Sequence, residues 1–122
     1  MVHPVRWYDR ERKSSCDFRR TVDGKMRCLP TYESIGDTFE DEACTEPINP
    51  KRCGAAPQVF IRTKEACSDE LQVFEVGARV EKASIYRRHA SRCVKEYVAP
   101  FAYRAGAEVA PTSFVSATEV DR

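Results

Sequence analysis

The chain alternates short apolar runs with turn-forming residues, and helical patterns are scarce. The stretch LQVFEVGARV, for example, is rich in Val and Phe and is followed by polar positions, as expected for a strand. Near the start, Asp23-Gly24 is flanked by Val22 and Lys25, and Asp-Gly is a strong short-range signal for a β-hairpin. The pattern therefore predicts strands joined by tight turns.

Two stretches, Phe74–Tyr86 and Tyr103–Val115, repeat each other at a fixed offset. The repetition indicates one structural unit used twice, a β-hairpin, rather than a duplicated active site. The matched positions are Phe74 with Tyr103, Gly77 with Gly106, Ala78 with Ala107, Val80 with Val109, Ser84 with Ser113, Ile85 with Phe114 and Tyr86 with Val115.

The same offset matches Lys82 with Pro111. Proline fixes φ and cannot donate a backbone hydrogen bond, so this position is predicted to lie in a turn, which puts Glu81–Ser84 in a turn as well. Gly77 and Gly106 are predicted to mark a bulge or a close backbone crossing.

The remaining segments extend this interpretation. FIRTKEAC and YRRHASRC each place an aromatic residue seven positions before a cysteine, which predicts a strand followed by a polar loop. CVKEYVAPFAY is predicted to form one or two helical turns ending before Pro100. Together these segments predict an all-β, small single domain of sequential β-hairpin repeats, arranged as a meander, sandwich or barrel. It spans residues 1–115, and residues 116–122 form a frayed tail.

Size and charge narrow the possible functions. The 122 residues carry a net charge of +1, and the 13.9 kDa chain has a pI of about 7.6. Residues 31–50 hold six acids and no base, whereas residues 1–30 hold eight bases against four acids. This uneven but balanced charge argues against a nucleic-acid binder. No segment has the roughly 20 apolar residues of a membrane-spanning helix.

Six cysteines, Cys16, Cys28, Cys44, Cys53, Cys67 and Cys93, are spread through the chain without a Cys-x-x-Cys pair. This even number predicts three disulfides and an oxidising compartment, hence a secreted or cell-surface protein. Of fifteen possible pairings, sequential closure (16–28, 44–53 and 67–93) suits neighbouring hairpins best. No signal peptide is visible, so either the signal lies outside the printed chain or the compartment is not oxidising. A metal site using His89 and Cys93 is the alternative.

Trp7–Pro30 resembles a cysteine-bearing module of secreted proteins and lipoproteins of myxobacteria. The shared pattern is Trp-Tyr-Asp, Cys-x-Phe-Arg, Asp-Gly and Arg-Cys-Leu-Pro, and ACTEP, CGAAP and GAEVAPTSFV match further along the chain. The module is uncharacterised, so the resemblance implies an extracytoplasmic location and no catalytic residues. This sequence lacks a lipobox and is more highly charged than the type.

Catalytic chemistry has little support in the sequence. His3 and His89 are the only histidines, and neither lies in a nucleophile motif. Glu40, Asp41 and Glu42 are the densest acids, but neighbours on an extended chain point to opposite faces. The acidic stretch 37–46 lacks the spacing of an EF-hand. We therefore expect no enzyme, no cofactor and no metal.

Basic residues interleaved with aromatic ones are the best candidates for binding. They lie in three segments: Trp7 with Tyr8, Lys51 with Arg52, and Arg87 with Arg88. Trp7 could instead fill the small core, and the arginines could simply be solvated. The expected function is a binding or structural module that recognises a protein or glycan at the cell surface through loops and strand edges. The alternatives are a secreted inhibitor or effector using the 44–53 loop, and a small acid-dependent hydrolase.

Overall fold

The computed structural model describes residues 7–117. This part of the chain is built from β-strands and one short 3-10 helix, and it contains no α-helix. The strands are β1 (Trp7–Asp9), β2 (Ser14–Arg20), β3 (Met26–Leu29), β4 (Tyr32–Ser34), β5 (Ile48–Lys51), β6 (Val59–Thr63), β7 (Leu71–His89) and β8 (Arg92–Val109), and the helix is Pro111–Ser113. The protein is thus a small all-β domain, as the sequence pattern predicts.

The first three strands form an antiparallel sheet in the order β1-β2-β3. The turn between β2 and β3 contains Asp23-Gly24, and Gly24 has a φ of +78°, a conformation that glycine adopts without steric cost. Phe18 of β2 lies opposite Cys28 of β3. The hairpin predicted from the Asp-Gly pair is therefore confirmed.

The second sheet has the order β4-β6-β7-β8-β5 and is dominated by the β7–β8 hairpin. The hairpin closes through Ala90 and Ser91, and Ala90 has a φ of 55°, as tight hairpin turns require. β6 pairs with residues 71–75 of β7, and β5 pairs with residues 101–104 of β8. The two short strands thus cover opposite margins of the long hairpin.

The backbones of β7 and β8 approach each other closely at Gly77 and Gly106. A Cβ on Gly77 would stand 2.7 Å from the carbonyl oxygen of Arg104, and one on Gly106 would stand 3.1 Å from the Glu75 backbone. The register of the two strands shifts on either side of Val76. The predicted bulge and close crossing are confirmed. Neither repeat forms a hairpin by itself: Phe74–Tyr86 lies within β7, and Tyr103–Val115 runs from the end of β8 through the 3-10 helix.

Three local predictions were wrong. Glu81–Ser84 is not a turn: β7 continues through it, and Lys82 adopts a φ of 51° within the paired strand. The segment after Cys93 is strand β8 rather than helix, with Pro100 inside it. The polar loop expected after Tyr86 is strand up to His89. In each case pairing between the facing strands β7 and β8 decided the conformation, which the segment's own sequence does not report.

Two apolar clusters occupy the two halves of the long hairpin. The first lies at the open end of the hairpin, away from its turn, where Leu29 of the three-stranded sheet meets β6 and β7. It consists of Leu29, Val59, Ile61, Leu71, Val73 and Phe114, with Tyr32 and Val109 at its edge. The second lies against the half of the hairpin nearer its turn. It consists of Ile48, Ala83, Ile85, Ala99 and Ala102, with Val80 beside it. The hairpin is therefore the common wall of both cores.

Phe39 closes a ring of strands around the second cluster. Its backbone forms bridges with Tyr86 of β7 and with Pro47, just before β5. The N–H of Phe39 donates to the Tyr86 carbonyl at 2.9 Å, and the Tyr86 N–H donates to the Phe39 carbonyl at 2.8 Å. The acidic segment 37–46 therefore crosses from the β7 margin to the β5 side of the sheet.

The structure contains two disulfides, Cys16–Cys28 and Cys44–Cys93. The first was predicted. The predicted 44–53 and 67–93 bridges were wrong, and Cys53 and Cys67 are exposed free thiols. Strand register explains the 67–93 error: Cys67 precedes Leu71 at one end of β7, whereas Cys93 lies opposite Arg88 near the other end.

The expected boundary at Val115 stays a prediction. Ser116 is buried and forms an isolated bridge with Arg27, so the described structure extends at least to this residue. His3 and residues 118–122 of the expected tail lie outside the described residues.

Candidate functional site

The far end of the β7–β8 pair, residues 84–98, is called the distal hairpin below. β7 contributes Ser84–His89 and β8 contributes Arg92–Val98, with the turn at Ala90 and Ser91 between them. On the β8 side, the paired neighbour β5 reaches only residues 101–104. Since Pro100 has no backbone N–H to donate, it is a natural end for that ladder. Within residues 7–117, the outer margin of β8 from residue 92 to 100 has no partner strand.

A disulfide holds the distal hairpin against the acidic segment. Cys44 and Cys93 are joined with their Cα atoms 5.8 Å apart. Arg88 donates a hydrogen bond from Nη2 to the Cys44 carbonyl at 3.1 Å. Asp41 accepts hydrogen bonds from the N–H groups of Thr45 and Glu46, at 3.0 and 2.9 Å, which organises the turn that presents Cys44. The loop and the hairpin end therefore form one tied unit.

Three ionisable side chains of the distal hairpin form one cluster. Glu96 accepts from Nε of Arg87 at 2.7 Å and lies 3.2 Å from Nε2 of His89. These hydrogen bonds, first from Arg87 and then from His89, hold the pKa of Glu96 below its ordinary value. Beyond the hairpin, Arg104 binds Glu40 through two hydrogen bonds of 2.7 and 3.1 Å. Arg92 and Lys95 are exposed, so the distal hairpin presents basic side chains as well as these ion pairs.

Apolar side chains on β8 are exposed instead. Val94, Tyr97 and Val98 are 38%, 45% and 52% exposed, and all three lie on the strand whose outer margin is unpaired among the described residues. Ile85, which lies opposite Tyr97 in the ladder, is fully buried. At this end of the hairpin the buried side chain is on β7, and the apolar side chains of β8 from Val94 to Val98 are exposed.

A second surface feature is a groove of about 600 Å³ beside β4 and β6, whose lining residues include Arg19, Tyr32, Ser34, Ile61, Thr63 and Leu71. Arg19 of β2 donates from Nη1 to the Tyr32 hydroxyl at 2.8 Å. Its guanidinium carbon is 5.4 Å from the centroid of the Tyr32 ring. The arginine thus spans from the three-stranded sheet to the edge of the other sheet.

The binding residues predicted from sequence do not come together. Trp7 and Tyr8 are exposed on β1, and Trp7 contacts Phe18 edge to face at 5.2 Å. Lys51 forms an ion pair with Glu33. The predicted residues form three separate surfaces: Trp7 with Tyr8 on β1, Lys51 with the exposed Arg52 at the end of β5, and Arg87 with Arg88 on the distal hairpin.

The acidic segment offers little for hydrolysis. Hydrogen bonds from the Thr45 side chain and the Glu46 N–H hold the pKa of Asp41 below its ordinary value, whereas a general acid needs a raised one. Glu40 is engaged by Arg104. Among residues 7–117, no group of three or more His, Cys, Asp or Glu side chains is placed to hold a metal ion.

The inhibitor alternative loses its structural basis. Cys44 is bonded to Cys93 rather than to Cys53, so no bridge closes a 44–53 loop. Ile48–Lys51 forms strand β5 within the sheet, and the Lys51 side chain is largely covered. A protruding, preorganised loop is therefore absent from this segment.

Sequence reasoning missed Arg19, Tyr97 and Val98. Tyr97 and Val98 were assigned to a short helix, and Pro100, which ends the ladder with β5, was interpreted as the end of that helix. The half-burial of Arg19 depends on which strands face one another. Its only sequence signal was its place in the Cys-x-Phe-Arg motif.

In the described part of the chain, no helix has the length and apolar character needed to cross a membrane. No curated protein and no solved structure matches the chain. A family model does match, over residues 1–120, and its description is Family of unknown function (DUF7481). Since the match covers nearly the whole sequence, the chain belongs to the DUF7481 family.

Proposed function

We propose that this chain is a non-catalytic extracytoplasmic binding module that recognises a protein partner through the distal hairpin. One observation carries the proposal: Val94, Tyr97 and Val98 are exposed on the margin of β8 that no described strand covers. Unpaired edges with apolar side chains are templates for association, and proteins normally shorten, charge or cover them.

The composition of this surface favours a protein over a glycan. Val94 and Val98 are aliphatic and offer no stacking face or hydrogen bond for a sugar, whereas burying them against another apolar surface releases water. Tyr97 is next to Val98 on the strand and so points to the other face of the sheet, and a partner that covers the edge of β8 would contact both. Its large ring with a polar end is a combination that is enriched in protein interfaces. Lys95 and the ion-paired Glu96 supply the polar rim.

The bridge between Cys44 and Cys93 supports the same proposal. It anchors the end of the hairpin to the acidic segment, so the binding surface loses little conformational entropy when a partner docks. A rigid surface of this kind suits recognition and needs no catalytic group.

The extracytoplasmic location is inferred from cysteine usage and from resemblance. Disulfides persist in oxidising compartments and are rare in the cytosol, and two are formed here. The resemblance of Trp7–Pro30 to the module of secreted myxobacterial proteins and lipoproteins points to the same location. Fractionation of the natural host, with antibody detection, tests it: recovery only in the cytosol contradicts this part of the proposal.

Site-specific cross-linking tests the binding surface. A photoreactive p-benzoylphenylalanine is placed at Val98 in one variant and at the exposed Lys64, in the β6–β7 loop, in a matched control. The captured protein is then purified and its affinity measured by calorimetry. We expect Val98→Lys to weaken binding at least about tenfold, because it places a charge in the apolar contact, and Lys64→Ala to leave it unchanged. An adduct that forms equally at position 64, or an affinity insensitive to Val98→Lys, contradicts the proposal.

A further inference from the structure

Arg19 differs from the other arginines of the described chain. Of the arginines in residues 7–117, only Arg19 and Arg27 are not exposed. Arg27 is neutralised by Asp23, whose Oδ2 lies 2.8 Å from its Nη2, and it donates to the Phe114 carbonyl at 2.8 Å. Arg19 has no carboxylate partner among residues 7–117, and its hydrogen bond goes to the neutral Tyr32 hydroxyl.

A half-buried guanidinium without a counter-charge is costly, because part of its hydration is lost and no anion replaces it. The contact with Tyr32 offsets this only in part. The cation lies against the ring, and Nη1 is bonded to the hydroxyl oxygen. An arginine carries five N–H donors, so most of its fork is left for another acceptor. Since the Tyr32 oxygen accepts from Arg19, the tyrosine O–H remains available as a donor.

The groove around Arg19 supplies the rest of a site. Ile61 and Leu71 give it apolar walls, and Ser34 and Thr63 add hydroxyl groups. Its volume of about 600 Å³ lies in the usual range of ligand sites, roughly 300–1,000 Å³.

Two further charged residues line the groove. Asp37 is the acid in the lining, and it is exposed. Arg62 also lines the groove, while its guanidinium stacks on Phe74 at 4.9 Å. Arg62 also donates from Nε to Gln72 at 3.1 Å and is exposed, so Arg19 is the less exposed of the two cations in this lining.

We propose that this groove binds an organic carboxylate with a short apolar body. The carboxylate oxygens accept from the guanidinium fork of Arg19 and from the Tyr32 hydroxyl, and the apolar part packs on Ile61 and Leu71. Arginine and carboxylate are geometrically matched, and a body the size of an amino-acid side chain fits the groove. The groove contains none of Val94, Tyr97 and Val98. The test of this proposal is therefore independent of the test of the binding surface on the distal hairpin.

Such a carboxylate can come from a free organic acid or from the C-terminus of a polypeptide, and two probes separate these sources. The first is N-acetyl-L-leucine, compared with N-acetyl-L-leucinamide, which keeps the shape and removes the charge. The second is acetyl-Ala-Ala-Ala-Leu as the free acid. If the peptide acid binds at least about tenfold more tightly than N-acetyl-L-leucine, the site is assigned to a chain terminus. If the two bind equally, it is assigned to a small acid.

The experiment is an NMR titration of the isotope-labelled full chain at low salt. We expect N-acetyl-L-leucine to shift the backbone N–H signals of Tyr32, Ser34 and Thr63. N-acetyl-L-leucinamide should shift none of these signals. Arg19→Gln should weaken binding by about fivefold or more, because a charge-assisted contact is lost, and Tyr32→Phe should weaken it less. Arg20→Gln, on the adjacent position of β2 and paired with Asp69, should leave it unchanged.

Two results overturn the proposal. One is equal shifts with N-acetyl-L-leucine and its amide. The other is an Arg19→Gln variant that binds N-acetyl-L-leucine as tightly as the wild type does. Should Arg19→Gln fail to fold, Arg19→Lys replaces it: it keeps the charge but lacks the planar fork, so it should bind weakly, and binding at the native level contradicts the proposed contact.

Discussion

Cys44 and Cys93 are 49 residues apart in sequence and are joined by a disulfide that ties the acidic segment to the start of β8. The bridge closes the longer of the two disulfide loops in the structure and fixes the end of the distal hairpin. It therefore connects the stability of the fold with the shape of the proposed binding surface.

Removing this bridge should destabilise the domain substantially. A closed loop of this length restricts the unfolded chain, and the expected loss is about 2–4 kcal/mol of unfolding free energy. The Cys44→Ser/Cys93→Ser double variant, compared with wild type in urea, measures it. The matched control is Cys53→Ser/Cys67→Ser, which removes two exposed free thiols and should change stability by less than about 0.5 kcal/mol. Equal stability of wild type and the Cys44/Cys93 variant contradicts the account.

The crossing at Gly77 should not tolerate a side chain. Alanine is normally the better residue in a strand by roughly 0.5–1 kcal/mol, but a Cβ here would lie 2.7 Å from the Arg104 carbonyl oxygen. Gly77→Ala is therefore expected to destabilise by about 1–3 kcal/mol. Gly106→Ala, with contacts of 3.1 Å, should cost less. Chemical denaturation ranks the two, and a stabilised Gly77→Ala would show that the strands are farther apart.

Asp23 should make stability depend on pH in the acid range. Partial burial favours the protonated form, but hydrogen bonds from Thr21, Arg27 and the Lys25 N–H outweigh it and lower the pKa of Asp23 from 3.8 to about 2. A carboxyl whose pKa is lower in the folded state stabilises the fold above its unfolded pKa. This contribution, about 2 kcal/mol, is lost as the pH falls from about 5 towards 2.

The Asp23→Asn variant isolates this effect. At pH 7 it leaves the buried Arg27 without its anion, so the variant should be clearly less stable than wild type, and the difference should narrow by about 2 kcal/mol as the pH falls to about 2. Asp69→Asn, at the exposed pair with Arg20, serves as control and should show little pH dependence relative to wild type. A stability difference between wild type and Asp23→Asn that stays constant over this acid range would be inconsistent with the lowered pKa.

The exposed apolar residues of β8 should matter little to folding. Val98→Thr keeps a β-branched side chain and replaces a methyl group of a half-exposed side chain, so stability should stay within about 0.5 kcal/mol. Ile85→Ala, opposite Tyr97 and fully buried, should cost about 2–5 kcal/mol. Thermal and urea unfolding of both variants decide the point. A large loss for Val98→Thr would mean that Val98 is structural rather than free for a partner.

The features that depend on neighbouring residues could be predicted from the sequence. Asp23-Gly24 marked its hairpin, Cys16 and Cys28 on its two arms were paired correctly, and Gly77 with Gly106 marked the close crossing.

The features that depend on distant pairing were missed. Lys82 matches Pro111 in the repeat, yet it lies inside a strand because β8 pairs along that part of β7, whereas Pro111 follows the end of β8. Local sequence carries no record of which partner strand will be present.

The candidate sites were harder to predict because each depends on what is next to a residue in space. Arg87 and Arg88 were selected from sequence, but Arg87 is bound by Glu96 and Arg88 by the Cys44 carbonyl. Arg19 looked like an ordinary basic residue of a strand. Only the packing of β2 against β4 half-buries it and leaves it without an anionic partner among the described residues.

The disulfide connectivity of the purified protein is the most direct test of the account, because the fold of the distal hairpin and the proposed location both depend on it. The native protein is alkylated, digested without reduction and mapped by mass spectrometry. We expect linked peptides for Cys16–Cys28 and Cys44–Cys93, and alkylated Cys53 and Cys67. A Cys44–Cys53 or Cys67–Cys93 linkage, or six alkylated cysteines in protein isolated from its natural host, would contradict it.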